Sequence, residues 1–140
     1  MTTVKIHVDP TGFFPTSGTA GAACYDLYAV EAGQVHGGDT DTVGTGVYLE
    51  VPPGWEAVVR GRSGLASGCG IIAHHGTIDS DYRGEVMVIL HNTSDCSWSY
   101  KRGDRIAQIA FRQAPEVTLE PAGVLSKTER GASGLGSTGK

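Results

Sequence analysis

Short apolar or alternating runs recur along the chain between turn signals, at Val4–Val8, Tyr25–Val30, Gly46–Val51, Trp55–Arg60, Glu85–Leu90 and Ile106–Phe111. Their length and their content of β-branched and apolar residues predict strands. The run from Val86 to Leu90 is continuously apolar and suits a buried strand better than a helix. Pro52-Pro53-Gly54, Asn92-Thr93-Ser94-Asp95 and Arg102-Gly103-Asp104 fall between such runs and read as turns. The pattern leaves room for one short helix at most, and many short strands without a helical period predict an all-β sandwich or barrel of the jelly-roll kind. From Gly131 onward the chain is Gly/Ser-rich, with too little apolar surface to offset its own ordering entropy. The sequence therefore divides into a β domain over 1–129 and a mobile terminal segment over 130–140.

A length of 140 residues fits one domain with a core of its own. The 21 glycines are about twice the usual share of roughly 7 %, which implies many tight turns. No apolar run approaches the ~18 residues of a membrane span, and the N-terminus lacks the basic-then-apolar order of a signal peptide. The reading is a soluble cytoplasmic protein, with the nucleus left open for a eukaryotic or viral source. Cys24, Cys69 and Cys96 share no metal-site spacing and read as reduced thiols. A formal net charge of −4 disfavours a general nucleic-acid binder but not a small phosphorylated ligand, for which local charge matters more. Arg62, Arg83, Arg105 and Arg130 stand near glycines, where backbone donors can join them.

Four internal segments carry candidate chemistry. In Gly61-Arg62-Ser63-Gly64-Leu65-Ala66 a guanidinium, a hydroxyl and an unencumbered backbone can cradle phosphate, or simply end a strand in a solvated turn. Gly76-Thr77-Ile78-Asp79-Ser80-Asp81-Tyr82-Arg83-Gly84-Glu85 is framed by glycines, and either of its aspartates can serve as a base or as a surface or turn residue. Gln108 interrupts an apolar strand, so its amide must bond backbone or face a ligand. Asp26 interrupts the apolar run Ala22-Ala23-Cys24-Tyr25-Asp26-Leu27, where a buried carboxylate requires a cation, a metal shell or several donors. His74 and His75 are adjacent and would face opposite sides of a strand, which disfavours joint metal binding.

In order and spacing, these segments resemble the five motifs of the trimeric dUTPase family. The matching stretches are Ala22–Tyr28, Arg62–Ala66, Gly76–Gly84, Gly103–Gln108 and Arg130–Gly139. The resemblance implies a jelly-roll (β-clip) subunit in a threefold homotrimer, with each active site built from three chains. It implies hydrolysis of dUTP to dUMP and pyrophosphate by water attack on the α-phosphorus with Mg²⁺, limiting uracil in DNA and supplying dUMP for thymidylate synthesis. Carried over by position, Asp79 is the general base and Tyr82 lies against the deoxyribose. Arg62, Ser63, Gly64, Gln108 and Arg130 hold phosphates. Backbone of the Gly70–Gly76 stretch, including Ala73 and Gly76, reads uracil, with Ile78 beside it. Leu135, Gly136, Ser137 and Thr138 belong to the lid, and Asp26 reaches Mg²⁺ through water. Neither nucleic acid nor membrane is implied as a partner.

The chain departs from the family pattern at Cys24, where glycine is usual, at Gly61, where proline is common, and at Ala132, Ser133 and Leu135, where glycines and a phenylalanine are common. Leucine in place of an aromatic ring removes base stacking worth roughly 1–3 kcal/mol, so weaker lid closure is expected. The related dCTP deaminases share the fold, but their second motif has Ser-Ser and a further Arg that Ser63-Gly64-Leu65-Ala66-Ser67-Gly68 lacks. A nucleotide sensor acting on protein partners explains the site but not the base chemistry, and a capsid-type jelly roll explains only the strands.

Overall fold

A computed structural model of the chain describes residues 2–134. Eleven strands and one short helix are present among them. β1 (Lys5–Val8) pairs with β5 (Val47–Glu50), and β3 (Gly33–Val35) pairs with β10 (Trp98–Tyr100). A three-stranded sheet runs β4 (Thr40–Val43), β9 (Val88–Asn92), β7 (Ile71–Ala73), and a four-stranded sheet runs β2 (Tyr25–Tyr28), β11 (Arg105–Gln113), β6 (Trp55–Arg60), β8 (Gly76–Ile78). Each strand pairing is antiparallel.

The alternation that predicts the strands also sets which side faces inward. In β9 the burial alternates residue by residue, with Val88, Leu90 and Asn92 inside and Ile89 and His91 outside. Leu27, Val59, Ile71, Leu90, Ile106 and Ile109 are each at most 2 % exposed and draw all the major sheets onto one core. The buried Asn92 is satisfied: Nδ2 donates to the carbonyls of Val35 and Cys96, and Oδ1 accepts from the Ser94 amide and hydroxyl. It thereby ties the turn after β9 to β3.

Two local readings are corrected. The strand expected over Glu85–Leu90 begins only at Val88, because Glu85 is committed elsewhere. Its Oε1 accepts the amides of Thr45 at 2.9 Å and Gly46 at 2.7 Å, clamping a turn in which Gly46 has a positive φ of 65°. His74 and His75 lie in the connection between β7 and β8, not in a strand.

Candidate active site

The second segment is not a bare strand end. Arg62 keeps extended backbone and Ser63 opens the helix α1 (Ser63–Cys69), which Gly70 closes in the left-handed conformation at φ 68°. No residue of α1 is buried. Gly61 lies against β7: a Cβ at position 61 would sit 3.4 Å from the Ala73 amide nitrogen.

Asp26, Arg62, Arg105 and Gln108 converge beside this turn. Asp26 on β2 is opposite Gln108 on β11, and Gln108 is opposite Arg60 on β6. Asp26 Oδ1 accepts from Gln108 Nε2 at 3.3 Å, and Oδ2 accepts from Arg105 Nη1 at 3.2 Å. Arg62 Nε lies 3.3 Å from Asp26 Oδ1, a charge contact whose angle does not make a hydrogen bond, while Nη1 donates to the Arg105 carbonyl at 3.0 Å. The Asp26 side chain is only 6 % exposed, against 52 % for that of Arg105, so the acid is the interior member and the cations open toward solvent. These side chains and the Gly18–Cys24 loop line a cavity of about 300 Å³. The buried carboxylate thus has the cations its position requires.

Sequence reasoning placed Arg105 among the arginines beside glycines that suit a phosphorylated ligand but did not join it to Asp26, and it missed the Gly18-Thr19 wall altogether. The bulge between Arg105 and Ala107, which turns Arg105 toward Asp26, has no sequence signature of its own.

The third segment begins in β8, at the far edge of the same sheet, and continues into an exposed turn. Asp79 follows β8 and its carbonyl accepts the Tyr82 amide at 3.2 Å, closing a turn. Arg83 Nη1 pins that turn through the carbonyls of Ser80 and Tyr82, at 2.7 and 2.8 Å. Tyr82 is 43 % exposed, and its hydroxyl donates to the Glu85 carbonyl at 3.0 Å across Gly84. A Cβ at Gly84 would collide with the phenol, so only glycine admits this ring position. Ala73 is 7 % exposed with its methyl in the core, and Gly76 and Ile78 sit in β8. β7 and β8 are both edge strands, so each has backbone groups that no neighbouring strand takes. None of Asp79, Tyr82 or Ala73 lines the Asp26 cavity within one chain.

In the fifth segment, Arg130 Nε donates to the Ser133 carbonyl at 2.9 Å around a turn at Gly131. Leu135, Gly136, Ser137 and Thr138 lie outside the described residues.

An all-β subunit with a cation-lined cavity, and with an acid-bearing turn at the far edge of the same sheet, defines a candidate nucleotide-phosphate enzyme. A dUTPase family model matches residues 12–139. The chain is 44 % identical to the deoxyuridine 5'-triphosphate nucleotidohydrolase of Candida albicans, over 98 % of this chain and 88 % of that protein. It is 42 % identical to the enzyme of the same name from Anaplasma marginale, over 99 % of each. The Staphylococcus bacteriophage 80alpha dUTPase in complex with dUPNHPP superposes with a TM-score of 0.94 at 21 % identity, covering both chains fully. The chain belongs to the dUTPase family.

Proposed function

We propose that the protein hydrolyses dUTP to dUMP and pyrophosphate, in the cytoplasm, as a homotrimer whose active sites are shared between chains. The observation that carries this reading is the meeting of the first, second and fourth segments around Asp26 while the third remains exposed elsewhere in the same chain. A site needing both is completed by a second copy.

Two exposed apolar features support assembly. Ile72, Met87 and Ile89 are 47, 39 and 38 % exposed, with Ile72 and Ile89 on the outer face of the β4-β9-β7 sheet. Beyond β11 the chain is irregular and bares Val117 and Leu119 at 73 and 90 %. The same subunit has an apolar groove of about 400 Å³, walled by Ile6, Phe14, Tyr25, Trp55 and Phe111 among others, which suits such an arm from a neighbour.

In the complete site Arg62, Gln108, the Ser63 hydroxyl and Gly64 backbone bind the triphosphate, and Arg130 with the rest of segment 130–140 closes over it as a lid. Edge backbone of β7 and β8 recognises uracil through preformed donors and acceptors. Tyr82, fixed by Glu85 and Gly84, packs on the deoxyribose and leaves no room for a 2′-hydroxyl. Asp79 orients and deprotonates the water that attacks the α-phosphorus in line. Asp26 is the one carboxylate among the described residues that line the cavity. That donor set fits Mg²⁺ carried by phosphate oxygens, with Asp26 reaching it through water; when bound, the ion neutralises charge on the leaving pyrophosphate.

The test is product analysis with Asp79→Asn. The native chain releases pyrophosphate from dUTP, and the variant turns over ~10²–10⁴-fold more slowly while still binding a non-hydrolysable dUTP analogue. Ammonia released from dCTP, or equal hydrolysis by both proteins, overturns the reading.

A further inference from the structure

Arg60 has no role in the mechanism above, yet it stands at the site's edge. The row Asp26, Gln108, Arg60 crosses β2, β11 and β6 with each pair directly opposed, so the three side chains leave the same face of the sheet. Arg60 Nε is buried and has no hydrogen-bond partner among the described residues. The acids of that face are taken. Asp26 is held by Arg62 and Arg105, and Glu56 pairs with Arg112 at 2.7 Å. Between these groups the face is small or apolar, at Val58 and Ala110. Arg62 and Arg105 contact the one carboxylate, and Arg60 stands two strands along the same row beside Gln108, so three cations on or next to this face meet one acid and leave a formal surplus of two positive charges. An orphaned guanidinium N–H is costly unless a ligand satisfies it, and a multiply charged oxyanion supplies both acceptor and charge.

We propose that Arg60 is a third cation of the polyphosphate site and donates its unpaired Nε–H to a phosphate oxygen of the bound nucleotide. This rests on the dUTP reading but is tested apart from it, with inorganic tripolyphosphate as a probe that carries the phosphate chain and no base. Tripolyphosphate and deoxyuridine are titrated into the native protein, Arg60→Leu and Arg60→Lys, with melting temperature and oligomer size measured alongside. Loss of one charge-assisted contact weakens tripolyphosphate about tenfold in Arg60→Leu and flattens its salt dependence, with deoxyuridine binding unchanged. Arg60→Lys falls between, since it keeps the charge without the planar fork. Unchanged tripolyphosphate affinity overturns the proposal. So does an equal loss for both ligands, or dissociation of the oligomer, either of which assigns Arg60 to a contact between subunits. If the native chain releases no pyrophosphate from dUTP, the proposed function fails while the tripolyphosphate titration still decides the role of Arg60.

Discussion

Asp26 and Arg105 meet across β2 and β11, Oδ2 to Nη1 at 3.2 Å, so an interior carboxylate holds a cation at the mouth of the cavity. Replacing Asp26 by Asn leaves Arg62 and Arg105 without their counter-charge. Because Arg105 is half exposed, the expected loss is modest, about 1–3 kcal/mol in the unliganded protein. Pyrophosphate should restore the melting temperature further in the variant than in the native chain. Thermal melting with and without pyrophosphate checks this; equal recovery in both would refute the pairing as the source.

Gly84 lies under the Tyr82 phenol, and a methyl group there displaces the ring. Gly84→Ala is expected to raise the KM for dUTP severalfold and to narrow the preference for dUTP over UTP, with the core intact. Comparing kcat/KM on the two nucleotides tests it. An unaltered ratio would detach Tyr82 from sugar selection.

Tyr100 is 5 % exposed, its hydroxyl donates to Asp41 Oδ2 at 3.0 Å, and burial together with that carboxylate pushes its pKa up to about 12. The folded state retains this proton at a pH where the unfolded chain, with an ordinary phenol near 10, has lost it. The stability that Tyr100 contributes is therefore fully present below pH 10 and is lost as pH rises toward 12, at most about 2–3 kcal/mol. Denaturant titrations across that window should show a smaller decline in Tyr100→Phe than in the native chain, the remainder including Tyr48, whose phenol is also raised by its bond to Asp9.

Val117 and Leu119 are bared by the arm beyond β11. Changing both to Glu removes roughly 1.5–3 kcal/mol of burial per side chain from the assembled state and adds charge to the groove. The expected result is a smaller species by sedimentation, with hydrolysis lost in step. A full-sized, active oligomer would exclude the arm from assembly.

The sequence shows strands most clearly where several of their side chains are buried. Trp55–Arg60 is legible through its consecutive buried Ala57, Val58 and Val59, and β9 is legible as a strand though with its bounds shifted from Glu85–Leu90 to Val88–Asn92, whereas Gly33–Val35, Thr40–Val43 and Trp98–Tyr100 each place a single side chain in the interior and leave no pattern to read. Ser63–Cys69 escapes detection as a helix for the same reason, since it buries nothing and contains two glycines. At the site, Asp26 and Gln108 stand out as polar residues in apolar runs, which is a local signal. That Asp26 is neutralised by Arg62 and Arg105 is not local: those partners are 36 and 79 residues away in sequence and are joined only by sheet register and a bulge.

The carboxylate of Asp26 has a further effect through its tether. Held in the same chain as the guanidiniums it contacts, it competes with dissolved anions at a high effective concentration. Chloride, with one diffuse charge and no fixed oxygens, is a poor rival for it. A species offering several linked oxyanions is the stronger rival for its place, so under the proposed function dissolved salt leaves the site open to nucleotides.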